Sequence, residues 1–411
     1  MLDGQDRPDR TAPPGPPPRP GPAGSRSRPP RRGRPGGRRR EAAAGTVTGP
    51  HEAALESLEG WLASRGQGHD PLAEQHRWAL LPPGKLLRPV LLMESAAAVG
   101  GSIEQVRPVA TGFELMHAGS LIHDDIIDGD EVRRGREATH CRYGVDRAVV
   151  GADALFFAVF ATLGECRRRG VPDRLIADAT AVIAEAGLRI TRGATLELDL
   201  SGTLHDDTDA YLEVARLKTA ALLRAACRTG AVLAGATAEQ TAALTEFGEA
   251  LGIAFQIRDD LLPYGRERRP GTRTETAAAG KPRTSDLRNG RPVLPLLLAH
   301  RYGDDAERAL LAELLGAGQE RSGERSGERA TVRAYASQEA GADEESRQER
   351  LHQLLERTGA LKAAQHTADT HLDRCREALE ALPPSSHRQR LAALAARCHS
   401  RRQAGDEGAG R

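Results

Sequence analysis

The spacing of apolar residues between His51 and about His300 limits the fold more than any other feature of the chain. In "ARLKTAALLRAACRTGAVLAG" and "LTEFGEALGIAFQIRDDLL" apolar side chains return every three or four residues, the period of a helix with one buried face. Runs of β-branched residues alternating with period two are scarce, so strands are scarce. The expected fold is all-α, a single large helical bundle. A chain of 411 residues can bury a sizeable core in such a bundle.

Two stretches interrupt this pattern. Residues 1–48 are written in Pro, Arg and Gly, with eleven Arg and three Asp in the first 40. They cannot bury enough apolar surface to offset the entropy of ordering, so a disordered arm is expected. The second break, about 318–350, carries the tandem repeat "ERSGERSGERA" and reads as a flexible insert. Helical text resumes at "RLHQLLERTGALKAAQ", and residues 401–411 form a polar tail. The domain is therefore 49–400.

A formal net charge of +1 excludes a polyanion-binding surface over the whole molecule, and no nucleic-acid partner is expected. Five cysteines (Cys141, Cys166, Cys227, Cys375, Cys398) are scattered and never spaced C-x-x-C, which points to a reducing compartment rather than a disulfide or zinc framework. The longest apolar run, Ala148 to Gly164, is short for a membrane span and carries Asp153. It reads as a buried helix, with Phe156, Phe157 and Phe160 as core. The N-terminus has no apolar signal region, so a cytoplasmic protein without an integral membrane segment is expected.

Lysine is rare: Lys85, Lys218, Lys281 and Lys362 among 58 basic residues. Where arginine is used almost everywhere, a retained lysine marks a place that needs a compact ammonium. Two aspartate runs supply the opposite charge. In "SLIHDDIIDGDEVRRG", Asp124 and Asp128 are one helical turn apart on the same face. In "FQIRDDLLPYG", Asp259 and Asp260 repeat the pair, but Pro263 stands where a third acid would be. Oxygen donors without Cys or a His pair suit Mg²⁺, which commonly takes one or two carboxylates and fills its shell with water and phosphate. Arg133 and Arg134 follow directly, and guanidinium groups are natural partners of phosphate oxygens. A magnesium–diphosphate site fits this juxtaposition. Pro263 also disfavours helix at Leu262, so the second helix should end there.

Six segments, in order, resemble the motifs of the trans-isoprenyl diphosphate synthase (polyprenyl synthetase) family, and the resemblance covers about residues 52–400. They are "PPGKLLRP", "ELMHAGSLIHDDIIDGDEVRRG", "GATLELDL", "LKTA", "FQIRDDLLP" and "GKPRTSDLRNGRPVLPLLLA". Pro83, Leu86, Ala194 and Pro263 depart from the family pattern, and Glu197 stands where Asp is usual. Lys85, Lys218 and Lys281 all fall at motif positions.

The resemblance implies a helical bundle of the isoprenoid synthase type with a central active-site cavity, Mg²⁺ as cofactor, and a homodimer. It implies head-to-tail condensation of isopentenyl diphosphate with an allylic diphosphate. Asp124 and Asp128 would bind metal from one wall and Asp259 from the other. Arg133, Lys218 and Lys281 would hold the allylic diphosphate, and Lys85, Arg88, His117 and Arg134 the isopentenyl diphosphate. Thr219 and Gln256 would stabilise the allylic cation through oxygen dipoles. His123 reads as a packing group, and Arg258 as a solvated or paired arginine. Gly119 and Ser120, small residues upstream of the first motif, imply a pocket open beyond fifteen carbons and a product of twenty carbons (geranylgeranyl diphosphate) or more. A non-catalytic partner subunit, a class I terpene cyclase and an HD-type phosphohydrolase remain as alternatives at this point.

Overall fold

Two long helices, α4 (Ile103–Asp128) and α6 (Val145–Arg168), pack along one another and carry the first wall of the site. The structure is a computed structural model of the full chain, described over residues 49–65, 70–201, 207–264, 293–320 and 339–400. Before α4 come α1 (Pro50–Ser64), α2 (Pro71–Leu80) and α3 (Leu87–Ala98). A two-stranded antiparallel hairpin, β1 (Val132–Arg133) and β2 (Arg136–Glu137), and the short α5 (Thr139–Tyr143) separate α4 from α6. Then follow α7 (Asp173–Leu200), α8 (Thr208–Val214), a π-helical turn over Ala215–Ala220, α9 (Ala221–Leu233) and α10 (Ala238–Leu261). The remaining described helices are α11 (Leu294–Tyr302), α12 (Asp305–Glu320), α13 (Glu339–Arg357), α14 (Ala360–Glu380) and α15 (Ser386–Ser400). The all-α expectation holds.

Local chemistry sets the ends that matter. Thr237 caps α10 in a reciprocal pair with Gln240, each side chain taking the other's backbone N–H at 3.1 Å. At the other end α10 stops at Leu261, and Leu262–Tyr264 tighten into a single 3₁₀ turn around Pro263. That is where the proline was expected to end it. Helix α4 ends at Gly129, whose φ of +63° is the left-handed conformation glycine adopts without strain. The Asp130 N–H then folds back to the Asp125 carbonyl at 3.0 Å, so the chain turns away directly after Asp128.

Three apolar clusters fill the interior. One joins α1, α3, α4, α6, α7 and α9 around Leu92, Phe113, Leu155 and Ile183. A second joins the π turn and α10 to α11–α14, and a third joins α3, α9 and α10 to α14 and α15 through Phe247, Leu251, Leu372 and Leu391. Helix α13 begins at Glu339, inside the stretch read as an insert, and its Leu351, Leu354 and Leu355 are buried. Residues 321–338, the arm 1–48 and the tail 401–411 lie outside the described residues.

Helix α6 corrects one expectation. Ala148, Ala152, Leu155, Val159 and Leu163 are core, as the apolar run implied. Phe157, however, is 72% exposed, and Phe160 and Val150 also face outward, because the helix is apolar on more than the face that α4 and α7 cover. It is the one described helix long and apolar enough to cross a membrane, while its inner face is packed into the core. Leu188 and Leu198 on α7 are exposed as well.

Candidate active site

The first wall is the C-terminal end of α4. Its aspartates fall into two environments. Asp125 is buried and accepts Arg133 Nε at 2.8 Å and a second contact from Arg133 Nη2. Burial pushes the Asp125 carboxyl above its ordinary range, against the pull of that guanidinium. Asp124 is half-buried, and its Oδ1 lies 3.2 Å from Lys218 Nζ. Asp128 is buried at the last position of the helix.

Lys218 and Thr219 come from the π turn, the kind of helix irregularity often found at functional sites. Two glycines let this widened turn sit tightly between its neighbours. A Cβ on Gly193 of α7 would lie 2.6 Å from Lys218 N, and one on Gly252 of α10 would lie 2.4 Å from Ala220 Cα. Lys218 Nζ is held between two carboxylates, Glu197 Oε2 of α7 at 2.5 Å and Asp124 Oδ1 of α4. One ammonium thus ties α4, α7 and the π turn together. Glu197, in the place where the resemblance expected Asp, reaches the same lysine with one more methylene.

On the second wall, Asp259 is exposed near the end of α10, and Asp260 is buried. Asp260 accepts Tyr211 OH at 2.5 Å and Gln256 Nε2 at 2.8 Å. Thr219 Oγ1 donates to Gln256 Oε1 at 2.5 Å, joining the π turn to α10. Thr219 and Gln256, expected to act together, are therefore in direct contact.

A basic cluster lies beside the first wall. Arg134 has φ +54°, at the hairpin tip, and donates from Nη1 to the Pro82 carbonyl at 3.1 Å. A side chain on Gly84 would meet Arg134 Nη2 at 2.8 Å, so this glycine makes room for the guanidinium. Burial brings Arg88 down to about 10, with Glu114 and Asp259 opposing and Arg134 adding to the fall. Burial also holds the His117 imidazole well below its ordinary 6.5, reinforced by Arg88, Arg134 and Arg133. His117 is neutral at neutral pH. Arg88 Nε is buried without a hydrogen-bond partner, a costly state for a guanidinium unless an anion completes it. Lys85 is exposed beside this cluster, and Lys281 lies outside the described residues.

The sequence expectations fare unevenly in detail. His123 packs on Phe156, with ring centroids 5.4 Å apart, and Arg258 pairs with Asp369 at 3.0 Å, as expected. Arg133, expected at the allylic diphosphate, contacts Asp125 here, with Asp130 at 3.8 Å. Gly119 faces α6: a Cβ there would lie 3.0 Å from the Ala152 carbonyl and 3.3 Å from the Phe156 ring. Its small size thus also serves the close approach of α6. Glu114, Glu197, Tyr211 and Asp260 were not singled out as site residues. Glu114, a lone acid three residues before His117 in apolar text, was the detectable one; Tyr211 reaches Asp260 from 49 positions away.

Among the described residues no three His, Cys, Asp or Glu side chains converge on a single metal position. The oxygen-only donors on two walls instead fit a cation that shares its shell with diphosphate, as Mg²⁺ does.

The Polyprenyl synthetase family model matches residues 70–330. The short chain isoprenyl diphosphate synthase of Methanothermobacter thermautotrophicus is 33% identical over 76% of this chain and 85% of its own. The geranylfarnesyl diphosphate synthase of Aeropyrum pernix is 39% identical over 57% of this chain and 70% of its own. Among solved structures, the polyprenyl synthase from Caulobacter crescentus, complexed with calcium and isoprenyl diphosphate, superposes with a TM-score of 0.70. It is 30% identical, and the match covers 85% of this chain and 95% of that one.

Proposed function

This chain belongs to the polyprenyl synthetase family and is a prenyltransferase that joins isopentenyl diphosphate to an allylic diphosphate, and we propose that it does so with Mg²⁺, as a homodimer, giving a product of twenty carbons or more. The observation that carries the reading is Lys218 Nζ between Asp124 and Glu197, next to the Thr219–Gln256 pair. Fixed positive charge is thereby set beside oxygen dipoles, the combination that an ionising allylic diphosphate needs.

The C–O bond of the allylic diphosphate breaks with its electrons leaving on diphosphate. Lys218 receives that growing negative charge, released from its carboxylate partners as the anion arrives. Magnesium, held by Asp124 and Asp128 on one wall and Asp259 on the other, would neutralise the leaving diphosphate. Thr219 and Gln256, in contact with each other next to Lys218, would stabilise the allylic cation through their lone pairs. The isopentenyl double bond attacks that cation, and loss of a proton yields the longer allylic diphosphate. Arg88, Arg134 and Lys85 hold the isopentenyl diphosphate, whose oxygens complete the buried Arg88 Nε. Neutral His117 binds it as a hydrogen-bond partner rather than as a charge. Arg133, anchored by Asp125, and Lys281, which lies outside the described residues, keep the allylic-diphosphate role that the resemblance implies.

Exposed Val150, Phe157 and Phe160 of α6 with Leu188 and Leu198 of α7 support the homodimer, since apolar side chains on two neighbouring helices gain most by burial against a second copy. Four free cysteines among the described residues, with Cys166 pushed up to about 11 and Cys227 to about 12 by burial, support a reducing cytoplasmic setting. For product length, Met116 lies across from α7, its methyl 3.6 Å from where a Gly187 Cβ would be. Closure by Met116 rather than by Gly119 is consistent with chains beyond fifteen carbons. Mass spectrometry of products made from farnesyl and isopentenyl diphosphates tests this. Geranylgeranyl or longer diphosphates are expected; incorporation that stops at farnesyl diphosphate when geranyl diphosphate is the primer overturns the length assignment.

A further inference from the structure

Asp260 is the aspartate of the second motif that the resemblance does not assign to the metal. It is buried, and two hydrogen bonds from different helices converge on its two oxygens: Tyr211 OH of α8 on Oδ2 and Gln256 Nε2 of α10 on Oδ1. An ionised carboxylate only accepts hydrogen bonds. Asp260 therefore fixes which way the Gln256 amide points, with its NH₂ turned toward Asp260 and its Oε1 turned away. That oxygen then takes the hydroxyl proton of Thr219. The consequence falls on Thr219 Oγ1. Its one proton is engaged, so it presents lone pairs alone to whatever stands beside Lys218.

We propose that Tyr211 and Asp260 are positioning residues of a hydrogen-bonded relay, Tyr211–Asp260–Gln256–Thr219, that sets Thr219 and Gln256 as pure acceptors toward the allylic cation. The proposal rests on the prenyl-transfer reading above and deepens it. A hydroxyl or an amide free to turn would present its proton to the cation in part of the molecules, and the positive end of that dipole destabilises what the lone pair stabilises. With the relay intact the Thr219 hydroxyl proton is engaged by Gln256 Oε1, and one Gln256 N–H is held by Asp260, which keeps Oε1 turned toward Thr219. The polarity is set in advance by the fold, so no reorganisation is needed when the C–O bond breaks. Within the second motif the two acids thus differ: Asp260 serves the amide, and Asp259 is exposed near the end of α10.

Steady-state kinetics of the full chain with farnesyl and isopentenyl diphosphates and a Mg²⁺ titration test this. Asp260→Asn, whose amide can satisfy only one of its two donors, is expected to lower kcat by about 10- to 100-fold. KM for both diphosphates and the Mg²⁺ concentration for half-maximal rate should stay within about twofold, since the affected oxygens touch neither diphosphate nor metal. Tyr211→Phe, which removes one hydroxyl and keeps the ring packed, should lose kcat in the same pattern by about 3- to 10-fold. In a Gln256→Ala background, Asp260→Asn should cost little more, because a relay acts through its middle member. A rise of tenfold or more in the Mg²⁺ requirement of Asp260→Asn would make it a metal ligand and overturn the proposal. So would losses that add fully with Gln256→Ala, or wild-type kcat in Tyr211→Phe. If Asp260→Asn fails to fold, Tyr211→Phe and the Gln256→Ala pair with it still decide. An inactive wild-type protein would count against the prenyl-transfer reading, whereas an active wild type with indifferent variants counts against the relay alone.

Discussion

The ends of α4 and α10 carry the same aspartate pair and treat it the same way by different means. In each pair the second acid is buried and engaged inside the protein: Asp125 by Arg133, Asp260 by Tyr211 and Gln256. In each pair the first acid, Asp124 or Asp259, remains accessible. The α4 end balances its buried acid with charge, in a neighbourhood that holds Arg88, Arg133 and Arg134. The α10 end uses hydrogen bonds from uncharged groups. A buried carboxylate needs partners in either case, and the choice follows from what each helix end must do. Charge pairing at α4 anchors a hairpin of basic residues; the hydrogen bonds at α10 orient an amide.

The sharpest way to break this comparison is to remove the accessible acids. Asp124→Ala and Asp259→Ala should each lower turnover by about 10³-fold with the fold retained, measured by steady-state rate and circular dichroism. Near-normal turnover in Asp259→Ala would reduce the second wall to a structural element. Removing the buried acid of the charged end should act on stability instead. Asp125→Asn leaves Arg133 with a weaker partner and should destabilise by about 2–3 kcal/mol in urea unfolding. A neutral effect would mean that Arg133 and Asp125 are not a committed pair.

Acid should single out the charged end. The folded pKa of His117 is lowered, so the unfolded chain takes up its proton first. Stability from this group is therefore present above the unfolded value of about 6.5 and is lost as pH falls below it. His76 and His371, also lowered mainly by burial, add the same sign. Tm measured from pH 7 to 5 should fall, and His117→Asn should flatten the slope; an unchanged slope would separate His117 from the basic cluster. The smallest effect belongs to Pro263→Asp. Because one carboxylate on that wall suffices for a cation shared with diphosphate, turnover should change by less than about threefold.

Much of this was legible from residue order. Helical periodicity gave the all-α bundle, Pro263 marked where the second aspartate helix ends, and the rare Lys218 marked the centre of the ionic contacts. What was not legible lies across the fold. Nothing near Tyr211 announces a hydrogen bond to Asp260, and helix phase set Asp125 apart from Asp124 without showing that Arg133 would be its partner. Gly119 is ambiguous for a related reason: a small residue leaves room either for a ligand or for a helix, and α6 comes close to it. Phe157 was read as core because periodicity reports an apolar face and not what covers it.

Turnover by the purified full chain alone, with Mg²⁺, labelled isopentenyl diphosphate and farnesyl diphosphate, tests the central claim most directly. Asp124 and Asp259 at the two helix ends, with Lys218 between Asp124 and Glu197, predict steady incorporation of label into a longer prenyl diphosphate, abolished by chelation of the metal. Absence of incorporation by a folded, Mg²⁺-supplied protein would contradict the account and make the chain a non-catalytic partner subunit.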